Sequence, residues 1–334
     1  MKYEAPWWLP GGHAQTIWPV LWARRTLGPP PAYVRERWLA PDGDFVDVDF
    51  LRPCAAAGAA PAPLLVLFHG LEGSSRSHYA QAFAGVARER GWGFAVPHFR
   101  GCSGEINRAP RAYHSGDHEE IDWILRRLAG LQRTGGGARE PLLAVGVSLG
   151  GNALMRWAGE QGGSALASAD AIASVCAPLD LAAGGHAIGR GFNRQVYTRM
   201  FLRTMVPKAL AKLAQYPGLF DRAALLAARD LHAFDDLFTA PLHGFRDADD
   251  YWRRASAKPL LPAVRVPALL VNARNDPFVP GASLPRDGEV APVVTLWQPA
   301  HGGHVGFAQG GWPGHVRALP EAVAAWLADH AALG

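Results

Sequence analysis

The stretch Pro141-Leu142-Leu143-Ala144-Val145-Gly146-Val147-Ser148-Leu149-Gly150-Gly151-Asn152-Ala153-Leu154-Met155-Arg156-Trp157 constrains this chain more than any other. A short apolar run reads as a buried strand, a Gly-x-Ser-x-Gly turn follows at once, and an apolar-periodic helix begins at about Leu149. Such a turn is a nucleophile elbow. It is so sharp that side chains at Gly146 and Gly150 would collide with the neighbouring strand or helix, and it leaves Ser148 alone at the tip. The start of the helix aims free backbone N–H groups and the positive end of its dipole beside the hydroxyl, where an oxyanion would form. In a chain with 38 glycines among 334 residues the five-letter pattern can arise by chance, so its surroundings decide.

Those surroundings alternate. Val34–Leu39 and Phe45–Leu51 flank Pro41-Asp42-Gly43-Asp44 and read as a hairpin. After an Ala/Pro/Gly linker at 54–63, Leu64–Phe68 is a continuous apolar strand, expected to be covered on both faces of a parallel sheet. Ser77–Arg90 reads as a helix closed by Gly91, Gly93–Pro97 as a strand, and the segment after Tyr113 as a helix ending near Leu128. A Gly135-Gly136-Gly137 loop leads to the elbow strand, and Ala171–Cys176 is a further buried strand. This order predicts a doubly wound parallel sheet with ligands at the carboxyl ends of its strands, where His69, Arg100, Ser148 and Pro178 fall. From about 178 to 257 the alternation gives way to helical pattern, read as an inserted cap. Its basic residues Arg190, Arg194, Arg199, Arg203, Lys208 and Lys212 are expected on a solvated face. Ala268–Asn272 and Val293–Trp297 resume the sheet, and a helix from about Gly314 to Leu327 closes it. Residues 1–33, rich in Trp, Pro and Gly, read as an arm packed on the core without regular structure, so the expected division is arm 1–33, core 34–177 and 258–334, and cap 178–257.

Several functions are disfavoured. A net charge of +4 rests on scattered basic residues in a chain only 19% charged, which does not ask for nucleic acid. The loop His98-Phe99-Arg100-Gly101-Cys102-Ser103-Gly104 lacks both Gly-x-Gly-x-x-Gly and the Lys-Ser/Thr of a P-loop. His114, His118, Asp117 and Glu119 resemble a metal cluster, but early acids suit a helix N-terminus, and no metal or cofactor is expected. Cys54, Cys102 and Cys176 have no metal-ligand spacing and read as free buried thiols. With no apolar run of eighteen residues and no secretory leader, a cytoplasmic location is expected.

Ser148 needs a general base within hydrogen-bond reach, and that base needs an acceptor to fix its tautomer. Asp276 follows the strand after the cap and is favoured as the acid over Asp180, which follows the preceding strand. For the base, His301 and His304 both follow the last strand. The second oxyanion donor is expected in the loop His69-Gly70-Leu71-Glu72-Gly73, at the N–H of Leu71, beside that of Leu149. His69 is read as shaping that loop, and His13 as structural.

The segments Gly12-His13-Ala14-Gln15-Thr16, His69-Gly70-Leu71-Glu72-Gly73, Arg100–Gly104, Tyr113-His114-Ser115-Gly116, Gly146–Asn152, Asp276-Pro277-Phe278 and Gly302–Phe307 together resemble the YheT-like branch of the α/β-hydrolase superfamily. That resemblance implies a mostly parallel eight-stranded sheet flanked by helices with an inserted helical cap. It also implies a Ser148, Asp276, His304 triad and carboxylesterase activity, and it favours His304 over His301. Asn275 departs from the family, which usually carries an aspartate there. The reaction expected is hydrolysis of short- to medium-chain carboxylic esters through an acyl-enzyme, on a small-molecule ester or lipid, with weak contact to a membrane surface as a further partner. An alcohol O-acyltransferase using the same acyl-enzyme, and a noncatalytic ligand-binding scaffold, are the alternatives. Substrate-binding residues and oligomeric state are not legible.

Overall fold

The computed structural model describes residues 1–51, 62–132 and 140–331. The expected 54–63 linker, apart from its last two residues, and the triple-glycine loop lie outside them. Eight strands form one sheet: β1 (Val34–Leu39), β2 (Phe45–Leu51), β3 (Leu64–Phe68), β4 (Gly93–Pro97), β5 (Leu142–Val147), β6 (Ala171–Val175), β7 (Ala268–Val271) and β8 (Val294–Trp297). Their spatial order is β1-β2-β4-β3-β5-β6-β7-β8, with β1/β2 and β2/β4 antiparallel and all other pairs parallel. The four strands β3 to β6 are buried throughout, which is why they read as unbroken apolar runs rather than alternating ones. Edge strand β1 exposes Arg35 and half-exposes Arg37, charges that discourage pairing with another chain.

Alternate residues of β3 feed two separate cores. Leu64, Val66 and Phe68 pack with α3 (His118–Leu131) and α4 (Leu149–Gln161), through Ile121, Leu125, Leu154 and Trp157. Leu65 and Leu67 join α2 (His78–Glu89) and the C-terminal helix Ala318–His330, through Phe83, Val86, Val323 and Leu327. The chain passes from β3 to β4 on one side and then jumps over β3 to reach β5. The winding therefore reverses between β3 and β5, where the turns leaving them part and open a crevice. The register puts Phe68 opposite Gly146, so His69-Gly70-Leu71 emerges beside Ser148.

Two expectations about the ends of the chain need correction. The N-terminal arm contains a regular element, α1 (Gly11–Leu21), despite glycines at its start and Pro19 inside it. Tertiary contact overrides propensity here: Gln15, Thr16 and Pro19 are buried, and a Cβ on Gly12 would overlap the carbonyl of Asn275. Pro19 offers no N–H to the Gln15 carbonyl, and Gly306 packs so closely on that carbonyl that a Cβ would overlap it. The last helix starts at Ala318 rather than near Gly314, because Gly314 sits at φ +79° in a turn closed by the Gln309 to His315 bridge.

Between β6 and β7 the chain is helical, as expected. It includes α5 (Leu181–Ile188), the helices Arg199–Gln215, Arg222–Ala227 and Ala248–Ala255, and two π-helical turns, Arg194–Thr198 and Asp235–Thr239. Arg190, Arg194, Arg199 and Arg203 are exposed, but Lys208 and Lys212 are not. Lys212 is buried and donates to the carbonyls of Asn107 and Ala109 and to Gln215, anchoring this segment to the loop after β4. Among the described residues no helix is long and apolar enough to cross a membrane.

Buried histidines, His69 and His78 among them, make stability depend on pH. Burial pushes the pKa of His69 down to about 3 and that of His78 down to about 4. In the unfolded chain each titrates near 6.5, so below that pH the unfolded state takes up protons that the folded state refuses. The stabilising contribution is complete above about 6.5 and is lost as pH falls towards 4, by on the order of 1 kcal/mol per histidine per pH unit. Calorimetry at pH 5 is expected to give a clearly lower Tm than at pH 7.5; an equal or higher Tm would contradict this account.

Candidate active site

Ser148 stands between β5 and α4 at φ +53°, a conformation that an L-residue adopts only under constraint. The constraint is close packing of the turn. A Cβ on Gly146 would lie 2.6 Å from Gly151 Cα, and one on Gly150 would lie 2.6 Å from the His69 carbonyl oxygen. Gly70 also faces the serine, with its missing Cβ 3.2 Å from that of Ser148. Leu149 opens α4, so its N–H has no acceptor inside the helix.

The end of β7 brings Asp276 to the same sheet edge, and the end of β8 brings His304. His304 Nε2 lies 3.0 Å from Ser148 Oγ, and His304 Nδ1 lies 2.8 Å from Asp276 Oδ2. The Asp276 side chain is fully buried, and its other oxygen accepts the N–H groups of Phe278 and Val279 at 2.7 and 3.3 Å. These bonds fix the carboxyl, which in turn fixes the proton on Nδ1 and leaves Nε2 facing the hydroxyl as an acceptor. Phe278 covers the imidazole at a centroid distance of 4.2 Å. The rival residues are elsewhere. Asp180 caps α5 by accepting the N–H of Ala183, and His301 is exposed, with Nδ1 3.4 Å from Asn275.

Leu71 comes to the other side of the serine, and its neighbours are tied down. Gly70 N–H donates to the Tyr79 hydroxyl and Glu72 N–H to that of Tyr113, whereas among the described residues the Leu71 N–H has no acceptor. Glu72 is held at φ +56° by Tyr113, which also donates to its carboxylate, and by Lys208 at 2.9 Å. His69 shapes this loop: Nδ1 donates to the Gly70 carbonyl and Nε2 accepts the Phe99 N–H. With its pKa near 3 it stays neutral, which is what that pair of bonds requires.

Residues unassigned by sequence hold the His304 loop. Three successive N–H groups are captured by side chains: Gly302 by Gln15 Oε1 at 2.9 Å, Gly303 by Asn275 Oδ1 at 3.0 Å, and His304 by Thr16 Oγ1 at 2.9 Å. Asn275 Nδ2 closes the brace on Gln15 Oε1 at 2.8 Å, a bond that an aspartate could not donate. Cys176 adds its sulfur as acceptor for Val305 N–H at 3.3 Å. The signal in the sequence is the Gly12–Thr16 segment, one of those that carry the resemblance. His13 instead contacts Tyr197 and Phe192. Gln15→Ala is expected to lower kcat for ester hydrolysis roughly ten- to a hundredfold with little change in KM, because the imidazole loses its position and not its chemistry. Gln15→Glu, which keeps an acceptor oxygen, should recover part of that loss in the same steady-state assay.

Cys176, Asp276 and His304 each bring one potential metal-ligand atom within 4.8 Å of the others, yet the hydrogen bonds above already engage all three. The histidine-rich segment after Tyr113 forms no such group among the described residues. His114 packs on His243 at 4.4 Å, where burial lowers its pKa to about 3, and Asp117 pairs with Arg111 at 2.6 Å. Of the cysteines expected to be free, Cys176 is buried and Cys102 partly so; Cys54 lies outside the described residues.

A cavity of about 730 Å³ out to its mouth opens over Ser148 and His304, walled mainly by apolar residues such as Leu71, Ile188, Phe201, Met205 and Phe278. A second chamber of about 590 Å³ adjoins it through Leu71 and Leu149.

Known proteins with similar sequences bear on this geometry. The family described as alpha/beta hydrolase fold matches residues 63–311. The chain is 43% identical to "Putative esterase YheT" of Escherichia coli (strain K12), over 89% of this chain and 84% of that one. It is 29% identical to Phospholipase ABHD3 of Mus musculus, over 90% and 75%, and 29% identical to Monoacylglycerol lipase of Saccharomyces cerevisiae, over 73% and 55%. Among solved structures, an esterase of Pyrococcus furiosus aligns with a TM-score of 0.50 and 16% identity over 92% of this chain and 95% of that one. A puromycin hydrolase aligns at 0.58 and 18% over 91% and 39%. The structural likenesses bear on the fold alone. The family match over most of the chain, with the near-full-length identity to YheT, means that this chain belongs to the α/β-hydrolase superfamily, in its YheT-like branch.

Proposed function

We propose that the protein is a serine carboxylesterase that hydrolyses short- to medium-chain carboxylic esters through an acyl-enzyme on Ser148. The observation that carries this reading is the continuous relay from Ser148 Oγ to His304 Nε2, 3.0 Å, and from His304 Nδ1 to Asp276 Oδ2, 2.8 Å, at a turn that holds the serine in a strained conformation. The names of the relatives, esterase, phospholipase and lipase, support an ester bond as the target.

In this mechanism Ser148 Oγ attacks the ester carbonyl carbon while His304 Nε2 takes its proton. The carbonyl oxygen becomes an oxyanion, received by the N–H groups of Leu149 and Leu71. His304 then passes its proton to the departing alkoxide, the bond to the alcohol breaks, and the acyl group stays on Ser148. Water enters, gives its proton to His304 and attacks the same carbon; collapse returns the proton to Ser148 and frees the acid. Asp276 holds the Nδ1 proton and stabilises the imidazolium in both halves. Residues 178–257 act as the cap over the core, and residues 1–33 as the arm that steadies it.

Rates over p-nitrophenyl esters of increasing chain length test the reading. Hydrolysis that rises to a short or medium chain and declines beyond it is expected. No hydrolysis at any length, together with no labelling by a fluorophosphonate, would overturn it in favour of a noncatalytic binding scaffold. A product mixture dominated by ethyl ester when ethanol is added would turn it to acyl transfer.

A further inference from the structure

The wall of the cavity over Ser148 carries one carboxylic acid, and the proposed mechanism does not use it. Asp235 starts the π-helical turn Asp235–Thr239 and lines both the cavity that holds Ser148 and His304 and the chamber adjoining it. Widened turns of this kind are frequent at functional sites. Two bonds fix the carboxyl. Oδ1 accepts the Thr239 hydroxyl at 2.7 Å and Oδ2 accepts the Trp252 indole N–H at 2.8 Å.

A carboxylate has about four acceptor positions, so each oxygen keeps room for one more donor. Among the described residues no lysine, arginine or histidine lies within 4 Å to supply it. The cations on the neighbouring cavity wall are engaged elsewhere: Lys208 by Glu72, Lys212 by the carbonyls of Asn107 and Ala109, and Arg100 by Asp42, Asp44 and Glu120. The nearby His232 is bound to Asp249 at 3.1 Å, and Tyr251 uses its hydroxyl as acceptor for the Ser115 N–H. Burial raises the carboxyl pKa to about 6, against the opposing influence of its two hydrogen bonds and of the nearby His232, so it is mostly ionised at neutral pH with spare acceptor capacity and no cation bonded to it among the described residues. In a wall otherwise made of Leu71, Leu149, Met205 and similar side chains, such a group fixes ligand orientation rather than ligand affinity in general. A neutral hydroxyl suits it better than an ammonium, because the hydroxyl loses less hydration on entering an apolar cavity and still forms a charge-assisted bond.

We propose that Asp235 is a specificity-determining acceptor that binds a hydroxyl carried by the ester substrate, so that the preferred substrates are hydroxylated esters. This rests on the esterase reading and goes beyond it by naming a substrate class. The shared wall lets the hydroxyl come from either arm of the ester.

Matched pairs that exchange a terminal methyl for a hydroxyl test the proposal. 2-Hydroxyethyl butanoate against propyl butanoate probes the alcohol arm, and ethyl 6-hydroxyhexanoate against ethyl heptanoate probes the acyl arm. The wild-type enzyme is expected to give a higher kcat/KM for the hydroxylated member in one arm, and the arm that responds locates the hydroxyl. Asp235→Asn can keep both internal bonds, its amide donating to Thr239 and its oxygen accepting from Trp252, while losing the charge. It should lower that ratio roughly tenfold, with the unhydroxylated ester as internal reference. Asp235→Ser serves the same comparison should the asparagine variant not accumulate as folded protein. A wild-type ratio at or below one in both arms, or a ratio unchanged in the variants, overturns the proposal. Failure of the esterase reading itself would appear differently, as no turnover of any of the four esters.

Discussion

Ser148→Ala is expected to lower kcat for p-nitrophenyl ester hydrolysis by roughly 10⁴- to 10⁶-fold and to abolish fluorophosphonate labelling, with the folded protein retained. Every covalent step of the proposed cycle passes through Oγ, so no neighbouring group substitutes for it. Ser115, which also lines the cavity, receives a bond from Asn152, and its neighbour His114 turns Nδ1 to the Gly116 N–H rather than to that hydroxyl. Ser148→Gly separates chemistry from strain. It should be equally inactive, yet raise stability by about 1 kcal/mol, because glycine holds φ +53° without the steric cost that serine bears. A variant with substantial residual turnover, still labelled by the fluorophosphonate, would place the nucleophile elsewhere.

Gly150→Val should damage the fold severely. The added Cβ would lie 2.6 Å from the His69 carbonyl oxygen and overlap that of Phe68, and both are backbone atoms that cannot turn aside. Either α4 lifts from the sheet or the exit of β3 shifts, and that exit carries Leu71. Overpacking of this kind costs about 3 kcal/mol or more, on the order of a 5 to 10 °C fall in Tm. Activity should fall further than the stability loss explains, because the proposed oxyanion donors separate. Gly163→Ala provides the control: it is exposed with nothing near its missing Cβ, and its Tm should stay within about a degree. Thermal melts of the two variants side by side decide the matter.

The parts of the fold that were legible are those where burial leaves a local mark. The central strands β3, β5 and β6 are covered on both faces, so they appear as apolar runs. Ser148, Asp276 and His304 each follow a strand, in that order, and glycines flank the first and the last of them. What stayed hidden depends on contacts between distant segments. Helix α1 was obscured by Gly11, Gly12 and Pro19, and it forms because its buried face docks on the loops carrying Asp276 and His304. Gln15 and Gly302 stand 287 residues apart, and nothing near either one announces the bond between them. Lys208 and Lys212 look like the arginines around them, yet the loops after β3 and β4 give these two alone acceptors that draw them inward.

The sequence by itself determined the sheet, the sharp turn at Ser148 and the chain order of the three groups in the relay, because each is encoded in a short run whose chemistry permits one backbone course. Only the tertiary structure decided how the histidine meets the hydroxyl, what steadies its loop, and which polar side chain is left facing the cavity. Those outcomes depend on which hydrogen-bond partners the folded backbone brings within 3 Å, and a polar residue carries no mark of its partner until the chain has closed around it.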